Sequence, residues 1–251
     1  MTSFADHFSG RARDYARYRP DYPRALFEFL ADLAPDGKTA WDCATGSGQA
    51  ALGLASRFDA VVATDASIHQ ISNAAQHDRV HYAVAKAEEA PLADASIALV
   101  AAAQALHWFD RARFWEEARR VLVPGGVIAV WSYHGFHITP DVEAVIHHYY
   151  KDIVGPYWPP ERALVEQGYR TIEFPFEEET APPLRLEKLW DLAALLGYLR
   201  TWSATQRYES AVGKDPLALV RKELLAAWGP PQRLRTFRWD LDLRVGRKVS
   251  R

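Results

Sequence analysis

Along the first 150 residues, short continuous apolar runs alternate with stretches of helical periodicity. KTAWDCA (38–44) predicts a strand and 48–57 a helix; AVVATD (60–65) predicts a second strand and 67–76 a second helix. VHYAVA (80–85) is a third strand, and SIALVAAAQ (96–104) a fourth, followed by a helix near 110–122. GGVIAVWSY (125–133) is a fifth, entered through the PGG turn at 124–126 and followed by helical periodicity over 139–153. Strands that are apolar throughout are buried on both faces, which calls for a parallel sheet with helices on each side. Right-handed crossovers then wind it in both directions, giving a doubly wound α/β sheet.

The pattern changes in the last hundred residues. GPYWPP (155–160) breaks the alternation, and YRTIEFPFEE (169–178) reads as a strand. Residues 187–208 and 216–228 read as helices, placed to cap the sheet. RTFRWDLDLRVGRK (235–248) reads as a long final strand with Phe237, Trp239, Leu241, Leu243 and Val245 on one face. The expected organisation is a single domain over 1–251: an N-terminal lid (1–35), a cofactor-binding core (36–153), a cap region (154–234) and the final strand (235–251).

Composition narrows the function classes. The chain has 251 residues, 49% hydrophobic and 25% charged, with a net charge of −2. No overall field attracts nucleic acid or membrane. Charge is local: Arg11, Arg13, Arg17, Arg19 and Arg24 crowd the N-terminus, and Glu177, Glu178 and Glu179 are consecutive. Cys43 is the only cysteine, so an intrachain disulfide is excluded and a reducing compartment is expected. MTSFADHFSG lacks the apolar segment of a signal peptide, and no apolar run is long enough for a membrane span. A cytoplasmic protein is expected. No metal cluster is expected, because His147 and His148 are adjacent rather than four apart. No Gly-x-Ser-x-Gly elbow is present.

The chemistry is expected at WDCATGSGQAALGLA (41–55), the first strand–helix turn. Ligands of open α/β sheets bind at such carboxyl ends of strands. GSGQAA (46–51) fits the dinucleotide fingerprint, with Asp65 spaced as a ribose-binding acid. YAVAK (82–86) has the Tyr-x-x-x-Lys spacing of short-chain dehydrogenases, but it lies on a strand, where residues four apart are about 13 Å from each other. Asp42, at the end of the first strand and four residues before Gly46, offers a second reading.

In this second reading DCATGSG resembles the first motif of the class I S-adenosylmethionine-dependent methyltransferases, Asp/Glu-x-Gly-x-Gly-x-Gly. Ala44 stands at that motif's first glycine, which an alanine satisfies only with a negative φ. KAEEAPLADASIALVAAAQALHWF and ARRVLVPGGVIAVW resemble later motifs of the same family. YARYRPDYPRALFEFLA and GYLRTWSATQRY resemble the lid and cap of its trans-aconitate-methyltransferase-like subgroup. The resemblance implies a seven-stranded, mostly parallel sheet with its last strand antiparallel. It implies S-adenosylmethionine as cofactor and S-adenosylhomocysteine as product.

The resemblance also assigns residues. Asp42, Ala44, Gly46 and Gly48 form the cofactor loop, Asp65 takes the ribose, and Ala87 and Glu88 lie by the adenine. Gln70 stands where many relatives carry a methionine against the adenine. Tyr18 and Arg19 belong to the lid, with Arg19 set to pair with the methionine carboxylate. Gln104 follows the fourth strand and is placed for the methionine amine or its surroundings. His107 is the candidate general base and, with Trp108, Tyr133 and Trp202, a candidate acceptor contact. The implied reaction is direct in-line transfer of a methyl group to a small molecule. A nicotinamide-dependent oxidoreductase and a non-catalytic S-adenosylmethionine-binding module remain open at this point.

Overall fold

The structure, a computed structural model, describes residues 18–35 and 38–249. Arg11, Arg13, Arg17 and the rest of residues 1–17 of the expected lid lie outside them. In chain order the first half holds α1 (Arg24–Leu33), β1 (Thr39–Cys43), α2 (Gln49–Ala55), β2 (Ala60–Asp65), α3 (Ile68–Asn73), β3 (Val80–Val84), β4 (Ile97–Ala103), α4 (Arg111–Val121) and β5 (Leu122–Ser132). The second half holds α5 (Pro140–His148), a π-helical turn at Tyr149–Ile153, α6 (Arg162–Glu166), β6 (Glu177–Glu179), β7 (Leu184–Trp190), α7 (Leu192–Arg200), α8 (Ser203–Val212), α9 (Arg221–Trp228) and β8 (Arg235–Arg247).

The strands form one sheet in the order β3-β2-β1-β4-β5-β8-β6. The first five run parallel, and β8 runs antiparallel to β5 and β6. This is the doubly wound, mostly parallel architecture expected from the alternation. Successive residues of each strand serve opposite layers. Ala40, Leu99, Ala101, Val127 and Ala129 pack under α1 and α2, which contribute Leu26, Phe27, Leu30, Ala50 and Leu54. Trp41, Val100, Ala102, Ile128 and Val130 pack against α4, whose Phe114, Trp115, Ala118 and Val121 recur at helical spacing. Asp110 caps α4 by accepting from Arg113 N at 3.4 Å. No helix among the described residues is long and apolar enough to cross a membrane.

Three expectations change in the second half. The sheet has an eighth strand: β7 pairs with the first part of β8, Leu184 opposite Leu241 and Trp190 opposite Arg235. The expected helix over 187–208 is therefore the end of β7 followed by α7 and α8. LRLEKLW buries alternate residues, Leu186 and Trp190 among them, and Asp191 starts α7 by accepting from Ala194 N at 2.8 Å. The expected strand over 169–178 is mostly irregular, and only Glu177–Glu179 pairs, with Val245–Arg247. Gly168 and Tyr169 both have positive φ, and Tyr169, Ile172 and Phe174 are buried individually against the α4 layer. The final strand matches its expectation, with Phe237, Trp239, Leu241 and Val245 buried.

Candidate active site

The strand order reverses between β1 and β4, so the β1–α2 turn lies at the switch point where α/β sheets take ligands. Asp65, at the tip of β2, ties the turn down: its Oδ2 accepts from Gly46 N at 3.0 Å and its Oδ1 from Ser67 N at 2.8 Å. Thr45 N donates to Thr64 O at 2.9 Å, and Thr45 Oγ1 donates to Asp42 Oδ2 at 2.5 Å. Gly46 has φ +56° and Gly48 φ +86°. A Cβ on Gly48 would strike the Tyr82 hydroxyl, whereas one on Gly46 would meet no heavy atom within 4 Å. Ala44 departs from expectation. Its φ is +56°, in the left-handed region, so the loop keeps the glycine-like bend with an alanine in it.

Asp42 is fully buried. Burial pushes its carboxyl up to about 7, with Asp65 adding in the same sense and the Thr45 hydroxyl and Ala51 N–H opposing. Asp42 Oδ1 and Gln70 Oε1 are buried oxygens without hydrogen-bond partners. There is thus open space above Gly46, and Asp42 and Gln70 each keep one buried oxygen without a donor. A ligand rich in N–H and ammonium donors fits those features. At the tip of β3, Ala87 is buried and Glu88 Oε1 accepts from Asp110 N at 2.9 Å.

Beyond β4 and β5 lies a second part of the site. A pocket there is lined by Arg19, Gln104, His107, Trp108, Tyr133 and Trp202 from the expected set. Gln104 has φ +55°, and its Nε2 donates to Tyr133 O at 2.9 Å, joining the ends of the two strands. His107 packs against Trp108 with ring centroids 4.6 Å apart and the rings tilted at 46°. Burial, together with the nearby Arg162 charge, depresses the His107 imidazole to about 3, so the ring is neutral at working pH. Arg19 Nη2 donates to Thr201 O at 3.3 Å, and its guanidinium lies over Tyr198. Tyr18 packs against Gly197 of α7. Tyr18 and Arg19 therefore dock onto the cap helix.

Other residues of the pocket are ones that sequence reasoning passed over: His134, Arg162, Tyr198 and Ser203. Beside it, Tyr169, fully buried with φ +58°, places its hydroxyl 2.8 Å from His107 Nδ1. The only sequence signal for Arg162 was its place just after the GPYWPP break. Among the described residues the pocket lining contains two arginines, two histidines and no carboxylate.

A family model described as a methyltransferase domain matches residues 41–130, from β1 to β5. A methyltransferase-family protein of Dictyostelium discoideum is 35% identical over 231 residues, spanning 90% of this chain and 88% of that one. A solved structure described as a type II methyltransferase from Anaeromyxobacter dehalogenans is 48% identical, with a TM-score of 0.87 over 93% of this chain and 100% of that chain. A methyltransferase structure from Bacillus halodurans, 22% identical with a TM-score of 0.50, covers 90% of this chain and 100% of its own and shares the fold.

Proposed function

The chain belongs to the class I S-adenosylmethionine-dependent methyltransferases, and from this we propose that it methylates a small, anionic acceptor held between the tips of β4 and β5 and the helical cap. The observation that carries the reading is a pocket at the ends of β4 and β5 that is cationic and aromatic, with no carboxylate among its described lining residues. The resemblance of lid and cap to the trans-aconitate-methyltransferase-like subgroup supports the same kind of acceptor.

When bound, S-adenosylmethionine supplies an activated sulfonium methyl group. Asp65 would take the ribose diol, and the Gly46–Gly48 turn would let the backbone approach closely. Asp42 Oδ1 and Gln70 Oε1 offer acceptors for the cofactor's ammonium and amino groups. Arg19, which lines the pocket, would meet a carboxylate, and the aromatic rings of Tyr133, Trp158, Tyr198 and Trp202 would exclude water and suit a sulfonium. His107 orients the acceptor through Nε2, with Tyr169 fixing the ring through Nδ1. A proton on this imidazole is disfavoured by burial and by Arg162. An acceptor that arrives already ionised needs no base, and the chain's task is then positioning.

The test is S-adenosylhomocysteine release over a panel of small carboxylic acids, phenols and amines. Turnover of acids and not of amines is expected. Turnover confined to amines refutes the anionic acceptor. Zero turnover with S-adenosylhomocysteine tightly bound points to a binding module, and dinucleotide binding with absorbance near 340 nm points to an oxidoreductase. Asp65→Ala is expected to weaken S-adenosylhomocysteine binding at least about tenfold, or about 1.4 kcal/mol. Unchanged affinity refutes the ribose role.

A further inference from the structure

Arg162 lines the pocket, and its guanidinium is held from behind. Its Nε donates to the Tyr150 hydroxyl at 2.7 Å, and its Cζ sits 4.6 Å from the centroid of the Trp158 ring. The same hydroxyl donates to Glu166 Oε1. Glu166 is one helical turn along α6 from Arg162, with 3.9 Å between its Oε1 and the arginine Nε. Neither Nη nitrogen of Arg162 donates to another described residue. The planar fork is therefore left to the pocket, where it faces no carboxylate among the described lining residues.

The brace depends on an irregular stretch of helix. After α5 the chain widens into the π turn, closed by Val154 N donating to Tyr149 O at 3.0 Å. Such a turn re-aims consecutive side chains. Tyr149 turns inward to meet Thr205 Oγ1 at 2.8 Å, while its neighbour Tyr150 reaches α6. The Tyr150 carbonyl also accepts from Trp158 Nε1 at 3.4 Å, so one residue anchors both the arginine and the ring it stacks on.

We propose that Tyr150 and Glu166 are positioning residues that aim the Arg162 fork into the pocket as the anchor for an anionic group of the acceptor. This rests on the acceptor reading of the pocket. Tyr150 supplies one hydroxyl that accepts from the arginine and donates to the carboxylate, fixing the angle of the guanidinium plane. Glu166 holds that hydroxyl's proton to one side. A lysine at 162 has no Nε–H to be held and no fork to aim.

The experiment measures binding of 4-fluorobenzoate and of its neutral counterpart 4-fluorobenzamide by fluorine NMR, on protein saturated with S-adenosylhomocysteine. The wild type is expected to prefer the acid by at least about tenfold. Arg162→Lys is expected to lose most of that preference. Tyr150→Phe and Glu166→Gln are each expected to cut it about fivefold, with the amide and S-adenosylhomocysteine binding as before. A wild type with no preference for the acid, or that binds neither compound, overturns the proposal. So does a Tyr150→Phe protein that keeps the full preference, or that loses acid and amide in equal proportion, which marks a purely structural tyrosine. Glu166→Gln alters a partly exposed side chain and carries the same test if Tyr150→Phe does not fold. Failure of the wild type to bind S-adenosylhomocysteine counts against the methyltransferase reading instead.

Discussion

Replacing Ala44 by glycine should stabilise the protein. Ala44 holds φ +56° at the first position of the loop, where a Cβ crowds the following carbonyl at a cost of about 1–2 kcal/mol. Glycine removes that cost but adds freedom to the unfolded chain, which offsets about 0.4–1 kcal/mol. The net gain is about 0.5–1 kcal/mol, which for a chain of this length raises the melting temperature by about 1–4 °C. Ala95 provides the comparison. It has φ +47° and is exposed, in a turn far in sequence from the loop, so Ala95→Gly should gain a similar amount. Calorimetry of both variants, with urea midpoints at unchanged slope, measures the two gains. If Ala95→Gly gains while Ala44→Gly is neutral or less stable, the left-handed alanine is not strained and the reasoning fails.

Other measurements bear on the loop and the pocket. Gly46→Ala and Gly125→Ala place a Cβ in open space at positive φ, so both should cost about 1 kcal/mol, yet only Gly46→Ala should weaken S-adenosylhomocysteine binding by more than about tenfold in calorimetric titration. Asp42, pushed up to about 7, gives stability that is complete below its ordinary 3.8 and falls as pH rises to about 7, by at most about 4 kcal/mol. His107, depressed to about 3, works oppositely: its contribution is complete above its ordinary 6.5 and is lost as pH falls toward 3. Asp42→Asn should therefore expose a stability that climbs from pH 4 to 6.5, and parallel curves for variant and wild type in urea unfolding would count against the buried proton. Tyr169→Phe removes the hydroxyl beside His107 Nδ1 and should cost about 1 kcal/mol, with turnover falling more than cofactor affinity; equal turnover shows that the ring needs no such hold.

The parallel half of the fold was legible because its inner strands are apolar on both faces and every strand but β3 is followed by a helix. The loop at 42–48 was legible because bends that bring backbone against a ligand are spelled in glycine and acid. The 169–178 stretch was not, because Tyr169, Ile172 and Phe174 are apolar for burial rather than for pairing, and an apolar residue reads alike in either use. The 187–208 stretch hid a strand because Leu184–Trp190 pairs only with residues fifty positions later. Arg162 was hidden for a similar reason. Its role depends on Tyr150 twelve residues back, across a π turn that no periodicity announces. The left-handed alanine inverted a rule: tertiary ties, from Thr45 to Thr64 and Gly46 to Asp65, hold a bend that local preference opposes.

β8 is one uninterrupted strand with two employers. Its later residues, Asp242–Arg247, close the main sheet against β5, and its earlier ones, Arg235–Leu241, carry β7, which leads into α7 behind the pocket. The main sheet and the wall behind the pocket are mounted on a single beam. Damage along it, such as loss of the buried Trp239, should disturb the sheet and the cap together, because neither is hung on a strand of its own.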